Sequence, residues 1–339
     1  MHPAEVLDQV ATLLERSLAP AYKVQAFRRA ADTIRDRPVE QLEQLAKAGR
    51  LLSLSGVGTS TSRVIAEVLE GKTPKYLTNL EAEAAPDAGA GGEIRTALRG
   101  DLHSHSDWSD GGATIQQMAT AARDLGHDYL ALTDHSPSLK IARGLTAERL
   151  RKQLDVVAGL NQELAPFRIL TGAEVDILED GSLDQEDDLL AELDLVVASV
   201  HSKLRMPEQP MTDRMVAAMA NPHADVLGHC TGRMVRGRGR PESTFDPDLV
   251  FGACAHFDKA VEINCRPERL DPPMRLLEQV VSWKCKVSID SDAHAMGQLE
   301  WQPYGCARAA EAGVPVERIV NTWKADDLLD WTAAHGKAA

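Results

Sequence analysis

The stretch DLHSHSDWSDGG, residues 101–112, sets His103, His105 and Asp110 close together at the end of an apolar run. Six further positions of the same chemical kind follow the later apolar runs: His135, Glu174, His201, His229, Asp292 and His294. Neutral imidazoles and carboxylates are the donors that divalent transition metals take. Packing this many in one cavity is costly unless a cation organises them. Nine donors exceed the needs of one ion and fit two or three. A structural zinc site would be rich in cysteine and closed, so the set reads as a catalytic cluster of Mn, Zn or Fe with open positions. A hydroxide held between such ions attacks a phosphate ester at neutral pH. In this reading His103, His105, Glu174 and Asp292 carry the catalysis through the metal-held hydroxide.

The elements that position these residues alternate. The runs IRTALRGDLHSH, YLALTDH, FRILTGAEVDI, LDLVVASVH, ADVLGH, AVEIN and KVSIDSDAH are short, apolar and rich in β-branched residues. Between them IQQMATAARDLG, LRKQLDVVAGLNQEL, MTDRMVAAMA and PPMRLLEQVVSW have helical spacing. Strand–helix alternation means a parallel sheet, and about seven repeats predict an α/β barrel related to the TIM barrel. Chemistry in such a barrel sits at the C-terminal ends of the strands, where the His and carboxylate residues fall.

Residues 1–79 are helical instead. VLDQVATLL and VQAFRRAADTI place Val6, Val10, Leu13, Leu14 and then Val24, Phe27, Ala31, Ile34 on one face. VEQLEQLAKAG ends on Gly49, a glycine suited to closing a helix. LLSLSGVGTSTSRVIAEVLEG then sets Gly56, Val57 and Gly58 between two short amphipathic segments. This reads either as a helix-hairpin-helix, with Thr59 and Ser60 opening a helix whose amides hold a DNA phosphate, or as an ordinary αα-turn. The Ala-, Gly- and acid-rich stretch beginning at Leu80 predicts a flexible linker over residues 80–98, with the barrel over 99–335.

Composition narrows the classes. The chain has 339 residues, 43% of them hydrophobic and only 4% aromatic, so stacking platforms for nucleic-acid bases are scarce. Net charge is −14, divided as +2 over residues 1–80 and −16 beyond, which marks a change of domain. Five scattered cysteines without a CxxC pair predict free thiols and a cytoplasmic location. No apolar run is long enough to span a membrane, and the charged N-terminal stretch does not read as a signal peptide.

The motifs DLHSHSDWSDG, LTDH, GAEVDI, SVHS, LGHCTGR, EINCRPERLD and SDAH, in this order over residues 99–325, resemble those of the PHP (polymerase and histidinol phosphatase) family. The resemblance implies a distorted (β/α)7 barrel with a trinuclear metal site. It places the nine residues named above on ligand positions, with Glu174 bridging two metals. Residues 3–78, through VQAFRRAADTI and LSGVGTSTSRVIAEVL, resemble the helix-hairpin-helix domain of family X DNA polymerases. The palm of those enzymes has no room between the two parts, so no polymerase activity is expected. The hairpin departs from that family in having Thr59-Ser60-Thr61 after Gly58 rather than a basic residue; Arg28, Arg29, Arg63, Lys72 and Lys75 can supply the missing charge.

Arginines follow the later motifs. Arg233 and Arg269 fall on substrate-contact positions by the same resemblance, and Lys203 is a weaker candidate. Asn264 is read as orienting a ligand or the substrate. Arg266 adds a further rim cation, and Arg236, Arg238 and Arg240 either hold phosphate or are merely solvated. Cys230 and Cys265, next to rim positions, lack a base and read as packing residues.

Three functions compete: a phosphoesterase acting on DNA ends (3′–5′ exonuclease, 3′-phosphatase or abasic-site nuclease), a small-molecule phosphatase such as histidinol phosphatase, and a non-catalytic DNA-binding protein. On the first, removing residues 1–95 weakens hydrolysis of DNA and spares a generic phosphate ester; equal rates on DNA with and without these residues would refute it.

Overall fold

The computed structural model describes residues 2–83 and 91–335. The chain divides into two compact units, Met1–Pro86 and Asp87–Ala339. The first holds five helices: α1 (Pro3–Arg16), α2 (Ala21–Ile34), α3 (Val39–Lys47), α4 (Thr59–Leu69) and α5 (Lys75–Glu83). Their shared core contains Val6, Val10, Leu13, Leu14, Phe27, Ala31 and Ile34, with Val24 packed at its edge. Periodicity of 3.6 residues gathers these side chains on one side of each helix. Gly49 takes a left-handed φ of +66° just beyond α3, as its place in the sequence required.

The second unit begins with α6 (Gly92–Ala97), continues through β1 (Gly100–Asp101), α7 (Ile115–Asp124), β2 (Tyr129–Leu132), α8 (Ala147–Leu164), β3 (Arg168–Asp176), α9 (Asp187–Leu190) and β4 (Leu195–Ser199), and proceeds with α10 (Glu208–Ala220), β5 (Val226–Leu227), α11 (Pro247–His256), β6 (Ala260–Asn264), α12 (Met274–Ser282), β7 (Lys286–Asp290), α13 (Gln302–Glu311) and α14 (Ala325–His335). The seven strands pair in sequence order, every neighbour parallel. The sheet curls into a nearly closed TIM-like barrel with helices around it. Its strands are buried on both faces, which is why they read as unbroken apolar runs rather than alternating ones.

Between β7 and β1 the two edges meet mainly through side chains. Gln302 and Asn321 each donate to the carbonyls of both Gly100 and Ile289, and Asp290 accepts from the Leu102 amide at 2.9 Å. Past the strand ends a backbone bridge pairs Ser104 with Ala293.

Of the run IRTALRGDLHSH, Gly100–Asp101 is strand, but the part beginning at Ile94 is not the strand that its composition implied. Ile94 lies buried on α6, and Arg95 Nη1 reaches Gln302 Oε1 of α13 at 3.3 Å. A short apolar run is ambiguous between helix and strand, and here packing against α13 decides it. Residues 92–97, expected within the linker, therefore belong to the barrel unit, and residues 80–83 complete α5; residues 84–90 of that expected linker lie outside the described residues. A truncation that removes the first unit alone stops short of α6.

Gly100 faces Tyr129 of β2 with no room for a side chain. A Cβ there would sit 2.2 Å from the Tyr129 ring and 2.6 Å from the Tyr129 carbonyl oxygen. Gly100→Ala should destabilise the barrel unit by about 1–3 kcal/mol, read as a lower urea midpoint at unchanged slope.

Candidate metal centre

The loop after β1 is stitched in place before it presents any donor. The His105 amide donates to the Ala293 carbonyl at 2.8 Å, and the Thr133 amide to the Ser104 carbonyl at 2.8 Å. Asp134, fully buried, accepts from the Ser106 amide at 2.8 Å, the Ser106 hydroxyl at 2.6 Å and Gln153 Nε2 at 2.6 Å, as well as from Ser109. The Gly112 amide closes the loop onto the His294 carbonyl at 2.7 Å. His103, His105 and Asp110 are thereby fixed against the ends of β2 and β7.

Glu174, near the end of β3, stands at the centre of the cluster. Its Oε2 lies 3.3 Å from His103 Nε2, 3.6 Å from His105 Nε2 and 2.9 Å from His135 Nδ1. Its Oε1 lies 3.2 Å from His201 Nε2 and 2.8 Å from His229 Nε2. The five imidazoles form a closed circuit around it. Successive ring centroids from His103 through His105, His135, His201 and His229 and back to His103 are 5.1, 4.5, 5.2, 5.3 and 5.9 Å apart. His294 lies outside the circuit, its ring tilted against that of His105 with centroids 4.1 Å apart, and shares Asp110 with His135: Asp110 Oδ1 is 3.3 Å from His294 Nε2 and 3.5 Å from His135 Nε2. Asp292 Oδ1 is 3.4 Å from His105 Nε2.

All nine residues singled out by spacing are thus in one cluster. Three sets within it bring one donor atom from each member within 4.8 Å of the others: His105, Asp110, His135 and His294; His103, His105 and Glu174; His135, Glu174 and His201. His229 and Asp292 join these sets through Glu174 and His105. Because His105, His135 and Glu174 recur, the sets describe adjacent cation positions rather than separate sites.

Two observations fit cations there. His103 Nε2, His105 Nε2, His135 Nδ1 and Glu174 Oε2 are buried and meet only in the ion pairs above, without a well-formed hydrogen bond, and buried His105 Nδ1 has no partner among the described residues. Orphaned buried polar atoms each cost about 1–3 kcal/mol unless something satisfies them. The field also favours positive charge at His103, though not at every ring. Burial pulls the His103 pKa down, yet Glu174 and Glu262 outweigh it and hold it well above the usual histidine range. Burial, aided by His294 and His135, drives His105 well below that range. His229 is lowered to about 4 by burial and by Arg269, leaving it neutral and able to donate a lone pair. Burial pushes the Glu174 carboxyl upward, but His201, His103 and His135 prevail and keep it ionised.

A second layer holds the imidazoles. Glu262, fully buried on β6, accepts from His103 Nδ1 at 2.5 Å and from the His229 amide at 2.5 Å. A carboxylate on one ring nitrogen fixes the tautomer and frees the other nitrogen for a metal. Asp176 accepts from the His201 amide at 3.0 Å. Neither acid was singled out by sequence reasoning, although Glu262 is the one charged residue of AVEIN, a run otherwise suited to burial. Asn264, expected to orient a ligand or the substrate, donates through Nδ2 to Glu262 Oε2 at 3.2 Å and to Asp292 Oδ2 at 3.1 Å.

The expected substrate cations separate. Arg269 Nε lies 3.4 Å from Asp292 Oδ2, and Arg266 Nη1 3.7 Å from Asp292 Oδ1, so both reach the cluster. Arg233 does not turn toward it. Its Nε donates to the Arg269 carbonyl at 3.0 Å, Nη2 donates to the Leu270 carbonyl, and Nη1 is 3.5 Å from Glu242. It positions the loop that carries Arg269. Lys203 is 63% exposed and pairs with Glu179 at 3.7 Å rather than with the cluster. Arg240 Nε folds back to the Gly232 carbonyl at 2.5 Å. Cys230 and Cys265 are buried, and burial pushes both thiols up, so neither is a nucleophile.

In the helical unit, Gly56 has a left-handed φ of +77°, Val57 is buried, and Gly58 caps α4. Thr59 and Ser60 are exposed in the first turn, where backbone amides lack intrahelical acceptors. The turn packs on α2: Thr33 Oγ1 donates to the Ser55 carbonyl at 2.8 Å. Exposed Arg29 is beside it, since a Cβ on Gly56 would lie 3.6 Å from Arg29 Cβ. Arg63 is also exposed. Arg28 is instead committed within the unit to Asp8 and Glu15 at 3.2 and 3.1 Å, and Lys72 pairs with Glu70 at 2.7 Å.

Comparison with known families matches residues 101–263 to the family described as PHP domain and residues 1–74 to a helix-hairpin-helix domain. The chain carries a PHP domain. Over 231 residues it is 39% identical to the DNA polymerase/3′-5′ exonuclease PolX of Bacillus subtilis (strain 168), which covers 68% of this chain and only 40% of that protein. A probable phosphatase of Thermoanaerobacter sp. (strain X514) is 27% identical over 234 residues, 66% of this chain and 89% of that protein. Among solved structures, histidinol phosphate phosphatase from Lactococcus lactis subsp. lactis Il1403, complexed with Zn, L-histidinol and phosphate, aligns at 18% identity and TM-score 0.46 over 64% of this chain and 94% of that one. The PHP domain, with its buried His and carboxylate groups, is that of a metal-dependent phosphoester hydrolase. No helix among the described residues is long and apolar enough to cross a membrane.

Glu262→Gln keeps the shape of the His103 support and removes its charge. Metal affinity, measured by chelator competition, should fall about 10–100-fold while the circular dichroism of the fold is retained.

Proposed function

We propose that this protein is a metal-dependent phosphoesterase that hydrolyses phosphate esters at DNA ends, as a 3′–5′ exonuclease, 3′-phosphatase or abasic-site nuclease. One observation carries the reading: a single chain joins a His and carboxylate cluster suited to several cations to a helix-hairpin-helix unit with exposed Thr59, Ser60, Arg29 and Arg63 at its turn. The 39% identity to a polymerase/exonuclease supports it. The sequence that separates the two matched domains, residues 75–100, leaves no place for a palm, so nucleotidyl transfer is not proposed.

The nine residues His103, His105, Asp110, His135, Glu174, His201, His229, Asp292 and His294 would hold two or three divalent ions, of which Mn, Zn and Fe suit the donors. Bound there, the ions would acidify a coordinated water and neutralise phosphate oxygens. The chain's own contribution is positional. Glu262 and Asp176 hold His103 and the His201 backbone in place, and Asn264 holds Asp292. Arg266 and Arg269, beside Asp292, offer positive charge to the phosphate at the mouth of the cluster. Exposed hydroxyls and amides at the start of α4 would grip DNA without reading its sequence. The buried free cysteines suit a reducing compartment such as the cytoplasm.

A second reading, a small-molecule phosphatase with a substrate such as histidinol phosphate, draws on the probable phosphatase matched over 89% of its length. The assay that separates the two uses protein purified with Mn²⁺. It follows phosphate release from histidinol phosphate and from a 3′-phosphorylated duplex, and shortening of a labelled recessed 3′ strand. DNA processing is expected, with loss of more than about 100-fold in the double variant His103→Ala, His105→Ala. Turnover of histidinol phosphate alone would overturn the DNA reading.

A further inference from the structure

The proposed chemistry leaves one arginine-rich element unused. Residues 231–240 follow His229 closely and fold as a short hairpin, with an antiparallel bridge between Met234 and Arg240 and left-handed glycines at Gly237 (φ +71°) and Gly239 (φ +68°). Its base is anchored. The Val235 amide donates to the Glu268 carbonyl at 2.6 Å, Thr231 Oγ1 to Asp271 at 2.5 Å, and Arg233 and Arg240 spend their guanidiniums on backbone carbonyls.

The two arginines at the tip behave differently. Arg236 and Arg238 are exposed, and their guanidiniums have no hydrogen bond or ion pair among the described residues. Val235, next to them, is 51% exposed. The loop after β4 packs on the base of the hairpin, since a Cβ on Gly232 would lie 2.8 Å from Leu204, and Ser243 Oγ, just past the hairpin, donates to the Leu204 carbonyl at 2.8 Å. That loop carries Arg205, also exposed. Three solvated guanidiniums therefore stand on the barrel rim in a part of the chain whose net charge is −16.

A small ester is already served by Arg266 and Arg269 beside the cluster. Further cations outside it are useful only to a substrate that extends past the mouth and carries charge along its length. An acidic surface repels such a polyanion everywhere except where a local basic stretch receives it. We propose that the hairpin tip bearing Arg236 and Arg238, with Arg205, is a clamp for the backbone of a single DNA strand, holding the nucleotides that trail the end being hydrolysed. This rests on the DNA reading above and adds to it the place where the strand lies on the barrel.

The test uses the full chain carrying Arg236→Glu and Arg238→Glu, compared with the parent on a twelve-nucleotide single strand and on p-nitrophenyl phosphate. The ratio of kcat/KM for the oligonucleotide to that for the small ester should fall at least tenfold at low salt. Loss of two phosphate contacts should make the logarithmic salt dependence of oligonucleotide binding shallower by about 1.4. The paired lysine variant, Arg236→Lys with Arg238→Lys, should keep most of the ratio. A ratio and salt slope equal to the parent's would overturn the clamp while leaving the DNA reading intact. An equal loss on both substrates would also overturn it, by assigning the arginines to the reacting phosphate or to the fold. A parent that hydrolyses the ester and no oligonucleotide would sink the DNA reading and the clamp together.

Discussion

A carboxylate surrounded by five imidazoles is the constraint on which the barrel unit depends. Glu174 is 1% exposed, and burying its charge in isolation would be prohibitive. The protein meets that cost by directing ring nitrogens at both oxygens from the ends of four strands. The same packing crowds histidines together, and the strain of that crowding falls on His105, which burial and its neighbours hold uncharged. A cluster with so many unsatisfied donors is electrostatically incomplete. Cations would complete it, and that incompleteness is what ties the fold to the hydrolysis proposed above.

Around that centre the charged groups are graded outward. Glu262, Asp176 and Asn264 orient the cluster from beneath; Asp110, with its side chain 35% exposed, stands at the mouth; Arg266 and Arg269 flank Asp292. Arg233 stands outside this gradient. It comes four residues after His229, has the right charge and only 16% side-chain exposure, yet its fork is spent on carbonyls and it acts by holding Arg269 in place.

Much of this was legible in the sequence, for a specific reason. Parallel strands buried on both faces appear as apolar runs, and a His or acid at the end of such a run has nowhere to go but the rim. That logic locates His103, His135, Glu174, His201, His229 and Asp292 without coordinates. It fails where side-chain direction decides. Lys203 and Arg233 lie close in sequence to rim residues and point elsewhere. Glu262 stands two residues before the end of β6, as Glu174 does in β3, but Asn264 at that end drew the reading, and strand periodicity alone does not say that the Glu262 carboxylate reaches under His103. Ile94 misled because six residues of mixed apolar character carry no decisive period, and contact with α13 settled their helical state. The helix-hairpin-helix was legible as a turn from Gly56 and Gly58; which nearby cations are free was not, since the pairing of Arg28 with Asp8 and Glu15 depends on how α2 packs on α1.

The seam between β1 and β7 bears on how the centre comes into being. Its first members, His103 and His105, leave the ribosome nearly two hundred residues before its last, Asp292 and His294. Those two ends face one another across an edge joined chiefly by the amides of Gln302 and Asn321, which are translated later still. During synthesis the early strands can pair and bury their apolar faces while the circle of histidines stands open on one side. The cluster is whole only when the C-terminal segment has inserted its amides and drawn the edges together. Closing the barrel edge and closing the circle of donors thus draw on the same late-made amides, and the two ends of the chain meet in both.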